Sequence, residues 1–279
     1  MNRNKKIIRN LAVSFIAFTC TTLLVGLTMI LIVEKTLFSA TFLNKAAHQS
    51  DYYSELTKQI NTQIQDFGLG SGIPAEVLKD SVSSQQVQKD FEQYTTQAYY
   101  GNTLTIEKEP FLTQIKAPVM AYAKDQKQSL TAESEVAISN FAERSYEAYS
   151  DFIKLPFLPT LGQKIQLFAS NLTLFKVVLG SSFVLLLMLI IYLLHWWWHR
   201  LIRHLSFVFG GGGLMLIIIP ALILASGMID RISITSKPLY QLLTTYLTNS
   251  LMAFIVVGGA FLMASALSAI FSQIRRKFS

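Results

Sequence analysis

LAVSFIAFTCTTLLVGLTMILIV, residues 11–33, is an apolar stretch without a single charged side chain. A helix needs about 20 consecutive apolar residues to cross the hydrocarbon core of a bilayer, and this stretch exceeds that length. A cleaved signal peptide has an apolar region of only about 7–15 residues, so the length favours an uncleaved signal anchor. The stretch predicts a first transmembrane helix, with Cys20 as one of its apolar side chains.

Three further apolar stretches follow in the C-terminal part of the chain, at residues 171–198, 205–228 and 251–274. Each is long enough to span a bilayer as a helix. Only 15% of the residues are charged, whereas soluble domains have about 25%. The sequence therefore predicts an all-α integral membrane protein with four transmembrane helices in a lipid bilayer.

Charged residues predict how these helices are oriented. The N-terminal tail, the loop between the second and third spans, and the C-terminal tail are basic, whereas residues 34–170 have 12 basic and 16 acidic side chains. Basic segments stay on the cytoplasmic side of a membrane. We therefore expect both termini in the cytoplasm and residues 34–170 outside the cell membrane. Because the cations flank the spans, they do not predict a nucleic-acid partner.

These signals divide the chain into nine segments. The predicted order is cytoplasmic tail, transmembrane helix 1, extracytoplasmic domain, transmembrane helix 2, cytoplasmic loop, transmembrane helix 3, extracytoplasmic loop, transmembrane helix 4 and cytoplasmic tail, at residues 1–10, 11–33, 34–170, 171–198, 199–204, 205–228, 229–250, 251–274 and 275–279. The large outer domain contains no cysteine, which favours a bacterial envelope over a eukaryotic secreted domain.

The outer domain has the apolar spacing of helices rather than of strands. Apolar side chains recur three or four residues apart in stretches that begin at Tyr53, Val87, Phe111 and Ile138. Glycine and proline clusters separate these stretches. The pattern predicts a bundle of four or five helices, and residues 103–106 are the best candidate for a short strand.

Local signals predict where some of these helices begin or end. No helix breaker occurs between Glu34 and Gln65, so the first outer helix is free to continue directly from the first span. Ser129 or Thr131 is expected to cap a later helix, because a hydroxyl at that position accepts a hydrogen bond from an otherwise unpaired backbone N–H.

Tyrosine is concentrated in the outer domain, which contains eight of the eleven tyrosines. We expect most of them in the core of the bundle. Tyr99 and Tyr100 stand beside Gly101, where a helix ends. They are therefore a candidate partner surface as well as candidates for the core.

Tryptophan and arginine mark the inner end of the second span. The chain reads Trp196, Trp197 and Trp198, followed by Arg200 and Arg203. Tryptophan is enriched where a helix leaves the membrane, and arginine is retained on the cytoplasmic side. We predict that these five residues are membrane-interface anchors.

The third span is predicted to be the least regular one. Gly210, Gly211, Gly212 and Gly213 lie near its start and Pro220 lies in its middle. Glycine permits close contact between helices or local bending, and proline kinks a helix. These residues are a candidate hinge, and simple packing is the alternative.

The fourth span carries small residues at a regular spacing. Ala260, Ala264 and Ser268 are four residues apart, and Gly258 and Gly259 precede them. Small side chains at this spacing let membrane helices approach closely. We interpret the set as a helix-packing surface, either within the chain or between chains in a homo-oligomer or a complex with another protein.

No pattern in the chain predicts catalysis, a metal site or a cofactor. His195 and His199 are four residues apart, as paired metal ligands often are, but no Cys, Asp or Glu is near enough in sequence to complete a site. The spans contain few ionisable residues, which disfavours an ion-coupled transporter that acts alone. We therefore expect a non-enzymatic protein without a cofactor.

The order of one span, a large outer domain, three spans and a basic tail resembles the topology of FtsX-type and MacB-type transmembrane subunits. This resemblance implies a cytoplasmic ATPase whose state is transmitted to proteins outside, and it assigns no functional residue. The residues themselves favour an envelope protein whose outer helical domain senses or scaffolds a protein partner. An ATP-driven transport or mechanotransmission subunit and a membrane enzyme without a recognisable motif are the alternatives.

Overall fold

The computed structural model describes residues 3–102, 106–126, 131–194 and 198–277. All regular secondary structure in these ranges is helical, and they contain no β-strand. This confirms the predicted all-α class. The short strand predicted at residues 103–106 falls almost entirely outside the described residues.

The described ranges contain nine α-helices. They are α1 (Arg3–Lys35), α2 (Ala40–Gln49), α3 (Tyr52–Gly70), α4 (Ser84–Tyr99), α5 (Lys108–Asp125), α6 (Ala132–Ile153), α7 (Leu158–Leu193), α8 (Trp198–Ala225) and α9 (Lys237–Lys277). Two short 3-10 helices lie at Ala75–Leu78 and Ile229–Arg231.

Four of these helices are long and apolar enough to cross a membrane. The candidate spans are Leu11–Lys35, Asn171–Leu193, Leu201–Ala225 and Lys237–Gln273. They fall on the four spans predicted from the sequence. Four such helices are compatible with a multi-pass membrane protein.

The chain divides into two compact units. We call the first the span unit; it comprises Met1–Ser39, Leu167–Ser233 and Tyr246–Ser279. We call the second the helical unit; it comprises Ala40–Gln166 and Ile234–Thr245. Helices α2 to α6 belong to the helical unit, in agreement with the predicted four or five helices.

Two helices of the helical unit begin with hydroxyl caps. The Ser83 side chain accepts a hydrogen bond from the backbone N–H of Gln86 at the start of α4. The Thr131 side chain accepts one from the backbone N–H of Ser134 at the start of α6. Of the two caps that the sequence offered for this helix, Ser129 and Thr131, the structure has Thr131. Each cap satisfies a helix N–H that has no partner within the helix.

The core of the helical unit consists largely of the apolar residues whose spacing predicted the helices. Tyr53, Phe91, Ile115 and Phe141 are buried, as are their neighbours one turn away. Aromatic rings are prominent in this core: the Phe111 and Tyr149 rings stack with their centroids 4.6 Å apart. Aromatic side chains bury the largest apolar areas and therefore dominate core energetics.

The first helix ends at Lys35, although no helix breaker follows it before Gln65. Helix α1 stops at Lys35, and the chain turns before α2 begins at Ala40. The Thr36 hydroxyl donates to the Ile32 carbonyl at 2.7 Å, and the Tyr246 hydroxyl donates to the Leu37 carbonyl at 2.9 Å. The Ile32 carbonyl also keeps its helical bond from the Thr36 N–H, whereas the Tyr246 hydroxyl satisfies a carbonyl that a continued helix would have paired with a backbone N–H. The direct continuation predicted from the sequence is wrong.

Two segments expected to be loops are helical instead. Residues 199–204 belong to α8, and residues 237–250 form the first turns of α9. Pro238 does not prevent this, since it occupies the second position of the helix, where no N–H partner is required. The connection between α8 and α9 is therefore shorter than the predicted loop.

Candidate functional site

The glycines of α8 lie inside a continuous helix and face its neighbours. A methyl group added at Gly211 would approach Thr21 of α1 at 3.3 Å, whereas one at Gly210 would approach Ser265 of α9 at 2.9 Å. Gly212 lies near side chains of both α1 and α9. The candidate hinge therefore coincides with close packing of α8 against two helices.

A close contact in the span unit joins Gly213 and Gly258. A methyl group at Gly213 would stand 2.7 Å from the Gly258 carbonyl oxygen, and one at Gly258 would stand 2.8 Å from the Gly213 oxygen. Only glycine permits such an approach between two backbones. Gly258, one of the predicted packing residues, therefore contacts Gly213, one of the candidate hinge glycines.

Two serines join the same pair of helices. The Ser206 hydroxyl donates to the Ser265 carbonyl at 2.9 Å, and the Ser265 hydroxyl donates to the Ser206 carbonyl at 2.7 Å. Hydroxyls that bond across membrane helices add to the packing of small residues. This reciprocal pair was not singled out from the sequence, although serine at a helix contact is a recognisable signal.

The other predicted packing residues lie elsewhere on α9. A methyl group at Gly259 would meet nothing within 4 Å. Ala260 is exposed, and Ala264 and Ser268 are half-buried. Pro220, the remaining hinge candidate, is buried inside α8. The stripe of small residues is thus distinct from the contact made by Gly258.

The interface anchors can be placed only in part. Trp196 and Trp197 lie outside the described residues. Trp198 and Arg200 fall in the first turn of α8, and their side chains lie outside the described part. Arg203 is exposed on α8.

One ion pair lies at the ends of two candidate spans. The Lys176 ammonium of α7 donates to both carboxylate oxygens of Glu34 in α1, at 2.8 and 2.9 Å. The two side chains are only 24% and 39% exposed. An ionisable residue within a span needs such a partner, because an unpaired charge in an apolar environment is unfavourable. The pair holds α1 and α7 together.

The described residues contain no group of three or more His, Cys, Asp or Glu side chains that could hold a metal ion. An enclosed cavity in the span unit has a volume of only about 10 Å³ and is lined by apolar side chains together with Cys20 and His204. A cavity of this size accommodates one water molecule at most. Neither feature supplies a recognisable reaction centre.

An open depression of the helical unit lies along one face of α4. We call this surface the α4 amide face; it consists of Gln85, Gln88, Lys89, Glu92, Gln93, Thr96 and Gln97. These residues are three or four positions apart, which places them on one side of a helix. The opposite side of α4 is buried, with Phe91 and Thr95 fully covered.

The Glu92 side chain of this face accepts two side-chain hydrogen bonds. Its Oε1 atom accepts hydrogen bonds from Gln88 Nε2 at 2.9 Å and from the Tyr53 hydroxyl at 3.3 Å. Burial and the neighbouring Glu92 carboxylate raise the pKa of Tyr53, so that its hydroxyl remains a donor. Gln88 and Tyr53 therefore orient the Glu92 carboxylate.

The two tyrosines at the end of α4 have different environments. Tyr99 is buried, and its carbonyl accepts a hydrogen bond from Gln166 Nε2 at 3.0 Å. Tyr100 is 67% exposed. Its backbone N–H donates to the Thr96 carbonyl, so Tyr100 continues the last turn of the helix on the side of Thr96. The predicted partner surface is thus reduced to Tyr100, which extends the α4 amide face.

Comparison with protein-family models, with curated proteins and with solved structures finds no match to this chain. Function is therefore inferred from the geometry of the described residues. The sequence alone does not predict the α4 amide face, because its signal is a run of glutamines on the polar side of a predicted helix. Such a run is usually a solvated surface.

Proposed function

We propose that this chain is a non-enzymatic, multi-pass membrane protein of the cell envelope, with both termini in the cytoplasm. Its helical unit lies outside, where it binds an envelope component and thereby senses or scaffolds it. Charge supports this orientation, because residues 34–170 are net acidic and the three other flanking segments are basic. A bacterial envelope suits a domain that contains no cysteine.

The α4 amide face is the observation that carries the binding role. It is an open depression on a unit whose core is filled by packed aromatic and aliphatic side chains. Its carboxylate is held in place by Tyr53 and Gln88, and an exposed aromatic ring stands at its end. Preoriented polar groups beside an exposed aromatic ring are typical of a recognition surface.

Capture of bound material from intact cells tests this function. A membrane-impermeant crosslinker is applied to cells that express the tagged full-length protein, and the crosslinked material is isolated and identified. We expect an envelope component that is lost in the double variant Gln93→Ala and Tyr100→Ala and retained in Gln163→Ala. Gln163 is an exposed glutamine of α7 and is a matched control for Gln93.

The same experiment distinguishes the proposed binding role from that of an ATP-driven transport or mechanotransmission subunit. Recovery of a cytoplasmic ATPase, without any outer component, would contradict the proposed binding role and favour a transport or mechanotransmission subunit. In that case the variant with Arg200→Glu and Arg203→Glu should abolish the recovery, because these residues lie next to the predicted inner interface. Recovery that is unchanged by the α4 variants would also contradict the role given to this face.

A further inference from the structure

The α4 amide face is a long strip rather than a compact pocket. It extends from Gln85 to Gln97, and Tyr100 prolongs it by one further turn. At about 1.5 Å per residue, the strip from Gln85 to Tyr100 is roughly 22 Å long. Small-molecule sites are enclosed and lined mostly by hydrophobic residues, whereas this surface is open and every residue that lines it carries a polar or charged group. Its shape suits an extended polymer.

The side chains of the strip determine which polymer it suits. Four of its seven residues are glutamines, and each amide both donates and accepts hydrogen bonds. Its single cation, Lys89, is offset by its single carboxylate, Glu92. A sugar hydroxyl also donates and accepts, and the C–H face of a sugar ring packs against an exposed aromatic ring such as that of Tyr100.

Other classes of macromolecule fit this strip less well. A nucleic acid or another polyanion requires several lysines or arginines, because its binding depends on charge neutralisation. A protein partner requires an apolar or aromatic centre surrounded by a polar rim. The lining of the strip contains no aliphatic or aromatic side chain, and the exposed ring of Tyr100 stands at its end.

We propose that the α4 amide face, together with Tyr100, binds a neutral glycan chain. This inference rests on the proposed function and specifies the component that the helical unit binds. Glu92 and the glutamine amides exchange hydrogen bonds with sugar hydroxyls along the strip. Tyr100 packs against the face of one sugar ring at its end.

Titration of the purified full-length protein with defined oligosaccharides tests the proposal. The protein is placed in phosphatidylcholine nanodiscs, because glycoside detergents would themselves present sugars. The probes are a chito-oligosaccharide and a neutral gluco-oligosaccharide of equal length, with polyphosphate as the anionic polymer. We expect saturable binding of at least one neutral oligosaccharide and none of polyphosphate.

Matched variants locate the binding. Tyr100→Ala and Gln93→Ala should each weaken binding by about threefold to tenfold, which is the size expected for one aromatic or hydrogen-bonded contact. Tyr100→Phe, which keeps the ring, and Gln163→Ala, which lies off the strip, should bind as the unmodified protein does. Both altered side chains of the strip are exposed, so circular dichroism should show unchanged helicity.

Three results would overturn the proposal. They are the absence of saturable binding to both neutral oligosaccharides, undiminished binding in Tyr100→Ala together with Gln93→Ala, and preferential binding of polyphosphate. If the titration fails while crosslinking still captures an outer protein through the same face, the proposed function remains and only the glycan is excluded. If labelling places the helical unit in the cytoplasm, the proposed function fails whatever the titration shows.

Discussion

Lys176 of α7 and Glu34 of α1 are joined by two hydrogen bonds of 2.8 and 2.9 Å, so two residues 142 positions apart in the chain meet in one ion pair. Both helices are candidate spans, and the two side chains are partly covered. A charge at the end of a span is more favourable when it is paired than when it is alone. The pair therefore links α1 and α7 near the ends of the two candidate spans.

Loss of this ion pair should weaken the span unit. We expect Lys176→Ala to lower the free energy of unfolding by about 1 kcal/mol, since the pair is partly exposed. The double exchange Glu34→Lys with Lys176→Glu should recover most of the loss. Thermal unfolding of the full-length protein in micelles measures both, and exposed Lys164→Ala is the control. If the exchanged pair did not recover stability, charge pairing would not be the reason that Lys176→Ala destabilises the protein.

The close contact between α8 and α9 should not tolerate a side chain at Gly213. Gly213→Ala would bring a methyl group to 2.7 Å from the Gly258 carbonyl, and we expect a loss of about 1–3 kcal/mol. Gly259→Ala is the matched control because space is open there, and it should be neutral or slightly stabilising. Equal melting temperatures for the two variants would contradict the contact.

The hydroxyl of Tyr149 should contribute measurably to the helical unit. It donates to Asp90 Oδ2 at 2.5 Å, and its ring lies fully buried against Phe111. Tyr149→Phe keeps the ring and leaves the carboxylate without this donor, so we expect a loss of about 1–3 kcal/mol. Tyr100→Phe, at an exposed position, should have no effect. Chemical unfolding followed by near-ultraviolet circular dichroism provides the comparison.

Alkaline pH should destabilise the helical unit through its buried tyrosines. Burial, followed by the hydrogen bond and charge of Asp90, raises the pKa of Tyr149 above its ordinary value of 10.0. Burial raises the pKa of Tyr52 as well. A raised pKa in the folded state means that the stabilising contribution is complete below pH 10 and is lost as the pH rises above it.

Melting temperatures measured between pH 8 and pH 11.5 test this dependence. We expect a plateau to about pH 10 and a decline above it. Tyr149→Phe removes one of the titrating groups and should make the decline shallower. A decline of unchanged steepness in Tyr149→Phe would exclude Tyr149 as one of its causes.

The sequence predicted the elements whose signal is local and periodic. The four apolar stretches correspond to the four candidate spans. The helical spacing that begins at Tyr53, Val87, Phe111 and Ile138 predicted side chains that are buried in the structure. Such patterns depend only on the helical period and on the preference of apolar side chains for burial. They are therefore visible without tertiary information.

The sequence did not predict features that depend on distant residues. The end of α1 at Lys35 involves a hydrogen bond from Tyr246, which lies more than 200 residues away in the chain. Small residues occur on more than one side of α9. Gly258 contacts α8 and Ala260 is exposed, and this difference depends on where α8 lies. Neither choice can be made from spacing alone.

The environment of the tyrosine pair depends on helix rotation. Tyr99 and Tyr100 are adjacent, yet one residue turns a helix by about 100°, so one ring is buried and the other exposed. The pair gives no local signal for which ring faces the core. The α4 amide face likewise depends on tertiary structure, because Tyr53 of α3 donates a hydrogen bond to Glu92 of α4.

Cysteine labelling in intact cells tests most directly the central claim that the helical unit lies outside the membrane. Asn140→Cys in α6 and Arg203→Cys in α8, both at exposed positions, are each introduced together with Cys20→Ser, which removes the only native thiol. A membrane-impermeant maleimide should label the Asn140→Cys protein in intact cells and the Arg203→Cys protein only after permeabilisation. The reverse pattern would place the helical unit in the cytoplasm and would contradict the proposed function.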